Sequence, residues 1–181
     1  PMCEEPVRTR VLTGAGWRGL QEYLILDRAE PAVEGVELAG IGDARATPEA
    51  LAAISNAQAI VIGPSNPVIS IGPILATPGI REAIMASPAP VVAVSPYVGG
   101  EVVKGPTDAF MQGLGRPCTA AGVASLYAGL LDGMVCDEGD PDPAPGGVEV
   151  LACATLMTGA EGRRALAEQV LGFAASLRAP A

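Results

Sequence analysis

Short, wholly apolar runs alternate with segments that begin like helices, and this alternation most constrains the fold. "AIVIG" (59–63) and "PVVAVSP" (90–96) carry no charge, which is typical of strands covered on both faces. "TPEALAAISNA" and "TPGIREAIMAS" each open on Thr-Pro. This pattern predicts helices with Thr47 and Thr77 as N-caps and the following prolines, Pro48 and Pro78, as first helical residues.

The rest of the chain continues the alternation. Further strands are predicted at 35–41, 133–138 and 147–155, and further helices at 105–115, 119–133 and 159–177. Such a pattern indicates an α/β fold built on a mainly parallel sheet with right-handed crossovers. Ligands of these sheets bind beyond the carboxyl ends of the strands.

A rigid, uncharged loop follows the predicted strand "AIVIG". Two prolines restrict its backbone, and its serines and asparagine both donate and accept hydrogen bonds. The residues of interest are Gly63, Pro64, Ser65, Asn66, Pro67 and Ser70. Backbone N–H groups at the start of the next helix favour anions, so the loop suits a sugar, a base edge or a phosphate. A Pro-rich turn with Ser and Asn as local caps explains the same residues equally well.

Charge and composition exclude several functions. The net charge is −9, with one lysine, Lys104, so the basic stripe of a nucleic-acid binder is missing. The chain has no histidine, which excludes a Ser-His-Asp or Cys-His mechanism within it. Four widely spaced cysteines form no CxxC pair and indicate reduced thiols rather than a zinc site. With no long apolar run and no signal peptide, we expect a cytoplasmic protein without a membrane partner.

Longer motifs resemble one known family. "GPSNPVISIGPIL", "PGIREAI", "PVVAVSPYVGGEVVKGP" and "LYAGLLDGMVCDE" are similar to the C-terminal half of the 2-phospho-L-lactate transferase family. "PVRTRV", "GW" and "QEYL" near the start and "TLMT" near the end also match. The resemblance extends from Met2 to the final helix.

The resemblance implies a transferase of coenzyme F420 biosynthesis. Such an enzyme transfers a phospholactyl or phosphoenolpyruvyl group from a guanosine-diphospho-activated donor to the deazaflavin Fo, with release of GMP and a requirement for magnesium. It also implies a Rossmann-like, three-layer α/β fold with added helices, and a homodimer. A non-catalytic protein that binds nucleotides or nucleotide sugars on the same scaffold is the alternative.

The same resemblance concerns the extent of the chain. Residues 1–181 correspond to the C-terminal portion of one transferase domain. The family's glycine-rich nucleotide loop and acidic metal ligands belong to an N-terminal half, and no GGxGG motif is present here. We therefore expect a fragment that does not catalyse alone and that exposes an apolar strand edge. No catalytic residue and no metal ligand is predicted within it.

Site residues follow from the matched motifs. The loop residues Gly63 to Pro67 and Ser70, together with Lys104 of "VVKGP", are predicted to bind the donor nucleotide. Trp17 and Tyr23, with Gln21 between them, are candidates for contact with the Fo ring, and packing is the alternative.

Three further assignments stay open. Lys104 is either a phosphate contact or a surface lysine. Arg8 and Arg10 meet either a phosphate or an acidic neighbour. Asp137 and Glu138 follow a strand end and are either metal ligands or a charged turn.

Two segments depart from the family pattern. "ATLMTG" has Ala154 and Gly159 where the family commonly has acids, and "MCEEPV" replaces "MSDDPV". A substrate contact or helix cap supplied by an acid at position 154 is absent from this chain.

Overall fold

The chain begins with a three-stranded antiparallel sheet in the computed structural model, which describes residues 1–140 and 147–177. Its strands β1 (Arg8–Thr13), β2 (Gly16–Gly19) and β3 (Gly35–Ala39) lie in the order β2-β1-β3. A π-helical turn, Glu22–Leu26, lies between β2 and β3 in the chain. The predicted strand at 35–41 is therefore real, but its expected place in the parallel sheet is wrong, because β1 pairs with it antiparallel.

A four-stranded, wholly parallel sheet forms the centre of the fold. It contains β4 (Ile60–Ile62), β5 (Val91–Val94), β8 (Gly133–Asp137) and β9 (Glu149–Cys153), in the order β4-β5-β8-β9. All four residues of β5 are buried, as its uncharged sequence predicts. A two-stranded antiparallel hairpin, β6 (Tyr97–Val98) and β7 (Glu101–Val102), follows β5.

Helices cover both faces of the parallel sheet. They are α1 (Pro48–Ser55), α2 (Gly72–Ala76), α3 (Ile80–Ala86), α4 (Thr107–Gly113), α5 (Ala120–Leu126) and α6 (Gly159–Leu177). Alternate residues of β5 point to opposite cores: Val91 and Ala93 pack with α3 and α5, whereas Val92 and Val94 pack with α6. The predicted three-layer α/β architecture is confirmed.

Strand β4 lies at the edge of the sheet, although its apolar sequence predicts cover on both faces. Val61 is 45% exposed, while its neighbour in register, Val92, is fully buried. Within the described ranges, no strand pairs with β4 on its outer side. An apolar run predicts that both faces of a strand are buried, but it does not predict which helix or strand buries them.

The two Thr-Pro segments behave differently. Thr47 caps α1 as predicted, because its hydroxyl accepts a hydrogen bond from Ala50 N–H at 3.3 Å and Pro48 is the first helical residue. The prediction for Thr77 is wrong: α3 begins at Ile80. Pro78 and Gly79 form the centre of a turn closed by Ile80 N–H donating to Thr77 O at 3.1 Å, and Gly79 has φ 97°. Pro-Gly favours that turn over a helix start.

Helix α5 is shorter than predicted. It has Thr119 as N-cap but ends at Leu126 instead of continuing to Gly133. Helix α6 has the predicted bounds. None of the described helices is long and apolar enough to span a membrane alone, although Pro67–Ala76 and Ile80–Ala86, bent by 81°, reach that length and hydropathy together.

Candidate functional site

A cavity of about 440 Å³ opens at the carboxyl ends of the parallel strands. Its walls come from the segments after β4, β5 and β9: residues 64–66, 69 and 70, residues 95, 96 and 98, and residues 155–157. Residues 102–107 and Leu24 complete the lining. This is the position that the fold class predicts for a ligand site, and the volume lies in the range of small-molecule pockets. We call this cavity the strand-end pocket.

Five predicted donor-binding residues line the strand-end pocket: Pro64, Ser65, Asn66, Ser70 and Lys104. The other two face elsewhere. Gly63 borders an apolar groove between β4 and α6, and Pro67 is buried beside a cleft lined by α2 and α5. Successive residues of a tight loop point in different directions, so a contiguous motif does not place every side chain in one site.

Asn66 is the structural centre of the loop. Its Oδ1 accepts hydrogen bonds from Val68 N–H at 2.9 Å and from Ile69 N–H at 3.0 Å, which caps the π-helical turn Pro67–Ile71. Its Nδ2 donates to the Thr107 hydroxyl at 3.3 Å. The local-cap interpretation therefore holds for Asn66. One amide hydrogen remains for a ligand.

The capping by Asn66 also corrects the expected anion site. Two N–H groups at the start of the turn already bind Oδ1 of Asn66, so they are not open to a phosphate. Ser65 and Ser70 differ from Asn66, because their hydroxyls make no hydrogen bond within the described residues. Among the described side chains of the loop, the groups free to bind a ligand are these two hydroxyls and the remaining amide hydrogen of Asn66.

Lys104 brings the only charge to the strand-end pocket among its described lining residues. It follows the β6–β7 hairpin and is exposed, with no salt bridge to a described residue. The hairpin turns through Gly99 and Gly100, whose φ angles of 61° and 83° suit glycine. The site thus combines an apolar lining, uncharged polar side chains and one cation, which fits an anion attached to an uncharged group.

Hydrogen bonds anchor the base of the hairpin to Asp108 of α4 and to Ser95. Tyr97 is 1% exposed, and its hydroxyl donates to Asp108 Oδ1 at 2.8 Å. Burial raises the pKa of Tyr97, so this hydroxyl stays protonated. The hydroxyl of Ser95 accepts a hydrogen bond from Tyr97 N–H at 3.1 Å.

Asp137 ends β8 behind the pocket and accepts four hydrogen bonds. Oδ1 accepts from Gly99 N–H at 3.2 Å and from Gly139 N–H at 3.1 Å. Oδ2 accepts from Thr155 N–H at 3.0 Å and from the Thr155 hydroxyl at 3.1 Å. These donors, led by the Thr155 N–H, lower the pKa of Asp137 and keep it ionised.

The pocket contains polar residues that sequence reasoning did not single out. Ser95, Thr107 and Thr155 line it, and each is at most 4% exposed. Ser95 follows β5 directly, and Thr155 follows β9 by two residues. Sequence reasoning could have found Ser95 and Thr155, because each is a polar residue shortly after an apolar strand. The same pattern identified the loop after β4.

The residues considered for the deazaflavin ring lie outside this pocket. Tyr23 is fully buried, its hydroxyl donates to Pro31 O at 2.9 Å, and its ring packs edge-on to Phe110. Trp17 stacks under the Arg10 guanidinium at 5.3 Å on the antiparallel sheet. The packing interpretation therefore describes Tyr23, and neither ring reaches the strand-end pocket. Gln21 is an exposed residue that does not line it either.

Arg10 also forms a salt bridge with Glu37 at 3.6 Å, so it meets an acidic neighbour, as one of its two interpretations predicted. Arg8 is exposed on the first strand.

The described residues do not fit a magnesium site. No carboxylate lines the strand-end pocket, and no group of three His, Cys, Asp or Glu side chains in the described ranges could hold a metal ion. Asp137 uses both oxygens within the protein, and Glu138 is an exposed residue of the same turn. The charged-turn interpretation describes this pair.

Comparisons with known proteins agree with the sequence motifs. A family model described as 2-phospho-L-lactate transferase CofD matches residues 1–146. A 2-phospho-L-lactate transferase from Methanosarcina mazei is 40% identical over 176 residues, 94% of this chain and 57% of the relative. A phosphoenolpyruvate transferase from Streptomyces griseus is 38% identical over 188 residues, 99% of this chain and 59% of the relative. The chain thus spans 57% to 59% of these relatives.

A solved structure supports the fold. A crystal structure of a Bacillus halodurans protein superposes with a TM-score of 0.65 at 19% identity, covering 94% of this chain and 60% of that one. At this identity the likeness concerns the fold alone.

Proposed function

Because the chain belongs to the 2-phospho-L-lactate transferase CofD family, we propose that it forms the strand-end part of a transferase that acts on coenzyme F420 precursors. The substrate pair is a guanosine-diphospho-activated phospholactate or phosphoenolpyruvate donor and the deazaflavin Fo. The observation that carries the proposal is the strand-end pocket, which five of the seven predicted donor-binding residues line.

The pocket chemistry suits the donor. Lys104, Ser65 and Ser70 all line the pocket. In this proposal, Lys104 neutralises a phosphate of the diphosphate bridge, and the two serine hydroxyls bind its oxygens or the ribose. In the reaction, the alcohol oxygen of Fo bonds to the phosphorus that bears the lactyl or enolpyruvyl group. The bond from that phosphorus to the bridging oxygen breaks, GMP leaves with the electron pair, and the alcohol proton passes to water. Such a transfer depends on positioning and charge neutralisation rather than on a protein nucleophile.

We propose that the remainder of the family fold completes the sheet beside β4. Two observations support this. The outer edge of β4 is unpaired in the described residues, with Val61 45% exposed. An apolar groove of about 250 Å³ runs between β4 and α6, and Leu171 on that helix is 58% exposed. A further strand and helix would cover both surfaces, and the magnesium ligands are proposed to come from that part.

A non-catalytic nucleotide-binding protein is the second candidate. The absence of a carboxylate from the described lining of the strand-end pocket favours it. Turnover separates the two, because a binding protein has affinity for the nucleotide without forming product.

A protease footprint tests the proposed ligand. Endoproteinase Lys-C has one target in this chain, the bond after Lys104. GDP should slow cleavage there in a saturable manner, whereas AMP at the same concentration should have little effect. If GDP and Fo, separately and together, leave the cleavage rate unchanged, the proposed donor site is wrong.

A further inference from the structure

We infer that Asp137 is a positioning residue that holds two walls of the strand-end pocket in register, the β6–β7 hairpin and Thr155. The inference rests on the proposed function insofar as those walls bind the donor. Asp137 does not line the pocket itself. It acts through neighbours that do: Thr155 is a lining residue, and Val98 and Val102 of the hairpin are too.

The two carboxylate oxygens face different walls. Oδ1 binds the hairpin turn through Gly99 N–H, and Oδ2 binds Thr155 through both its N–H and its hydroxyl. Thr155 and Gly99 are far apart in sequence and are not neighbours in any strand pairing. Through the Asp137 side chain, the end of β8 therefore joins the segment after β5 to the segment after β9.

A close backbone approach supports this arrangement. A Cβ added to Gly139 would lie 3.2 Å from the Cα of Gly99, so the turn after β8 touches the turn of the hairpin. Asp140 adds a second contact, since its Oδ1 accepts from Gly100 N–H at 2.8 Å. Among the described residues, the Asp140 side chain reaches the hairpin only, whereas Asp137 reaches both walls.

The chemistry requires a carboxylate. All four donors point at Asp137, and a carboxylate is the side chain that accepts on both of its oxygens. Asparagine of the same shape would turn an NH₂ group toward either Gly99 and Gly139 or Thr155. Asp137→Asn should therefore release one wall, although the volume of the side chain is unchanged.

The chain offers a matched control at the other end of the same strand. Asp132 precedes β8, and its Oδ2 accepts a hydrogen bond from Val91 N–H at 2.8 Å. Asp132→Ala removes a partly buried hydrogen bond from a strand N–H to a carboxylate at the amino edge of the sheet, and Asp132 does not line the strand-end pocket. This control variant shows how much a general loss of stability changes each measurement.

The first measurement uses no ligand. We expect Asp137→Asn to raise the rate of Lys-C cleavage at Lys104 about tenfold at a temperature well below unfolding, because the hairpin loses an anchor. Asp132→Ala should change that rate less than twofold. Equal rates in wild type and Asp137→Asn would overturn the inference, as would an equal increase in Asp132→Ala.

The second measurement is the concentration of GDP that gives half-maximal protection from Lys-C. We expect it to rise about tenfold in Asp137→Asn and several-fold in Thr155→Val, with recovery in Thr155→Ser, which keeps the hydroxyl. The double variant Asp137→Asn with Thr155→Val should be little worse than Asp137→Asn alone, and full additivity would contradict coupling through Thr155.

The two failures are distinguishable. If GDP gives wild type no protection, the proposed function fails, while the ligand-free cleavage comparison still decides the role of Asp137.

Discussion

The side-chain amide of Asn66 donates a hydrogen bond to the Thr107 hydroxyl at 3.3 Å and thereby ties the loop after β4 to the first residue of α4. Thr107 is 3% exposed, so its hydroxyl depends on protein partners. One asparagine thus caps its own loop and fixes the opposite side of the strand-end pocket.

Asn66→Ala should destabilise the protein by about 1–3 kcal/mol, because it removes a cap and leaves a buried hydroxyl without its partner. The protection that GDP gives against Lys-C cleavage at Lys104 should weaken as well. Urea unfolding followed by far-UV circular dichroism measures the change in the free energy of unfolding. Asn56→Ala is the control, since Asn56 makes one exposed contact with Ala52 O at the end of α1. Equal stability of the two variants would contradict the anchoring role of Asn66.

Ser65→Ala combined with Ser70→Ala should weaken GDP binding without lowering stability. Neither hydroxyl bonds within the described residues, so their removal costs contacts to the ligand, about 1 kcal/mol each or roughly thirtyfold in the pair. Titration calorimetry measures the affinity, and Ser176→Ala on α6, whose hydroxyl bonds Phe173 O, is the control. Unchanged affinity in the pair would remove both serines from the site.

Lys104→Met should raise the dissociation constant for GDP and flatten its dependence on salt. A lysine beside a phosphate contributes an attraction that salt screens, and the variant has lost it. Affinity is compared at about 50 and 300 mM NaCl. Arg116→Met, at an exposed cation outside the pocket lining, is the control. If the two variants give the same salt slope, Lys104 is a surface lysine.

The stability difference between wild type and Asp137→Asn should depend on pH. Hydrogen bonds from Thr155, Gly139 and Gly99 lower the pKa of Asp137 below its ordinary value of 3.8. A lowered folded-state pKa means that the contribution to stability is present above pH 3.8 and is lost as the pH falls through the folded-state value.

Chemical unfolding of both proteins between about pH 3 and pH 7 checks this. The two free energies should differ at pH 6 and converge in acid. Asp132→Asn provides the comparison, because the Asp132 carboxylate accepts a single hydrogen bond from the described residues, that of Val91 N–H. A gap that widens as the pH falls would contradict the assignment.

The 181-residue chain alone should form no phosphorylated deazaflavin product from Fo and the activated donor. Addition of the amino-terminal half of the Methanosarcina mazei relative with magnesium should restore product, as detected by chromatography. Val61→Lys should block this restoration, because Val61 lies on the exposed edge strand. Met85→Lys on α3, at a residue that is 63% exposed and does not line the groove beside β4, should not. Product from the unsupplemented chain would show that the catalytic groups lie within it.

Much of the fold could be predicted from local chemistry. The uncharged run that became β5, the Thr47–Pro48 start of α1 and the bounds of α6 depend on periodicity and capping within a few residues. Sequence also predicted that the loop after β4 lies at a carboxyl strand end, because parallel order follows from alternating strands and helices.

Tertiary structure decided which of those residues the site uses. The side chain of Asn66 forms hydrogen bonds with its own loop and with Thr107, whereas the hydroxyls of Ser65 and Ser70 form none with a described residue. The ring of Tyr23 packs against Phe110. In the described part of the chain, the Asp137 side chain joins Thr155 to Gly99. Such relationships connect positions tens of residues apart, and they depend on which strands become neighbours. Local sequence carries hydrogen-bonding capacity and hydrophobicity, but the order of the strands determines which donors and acceptors meet.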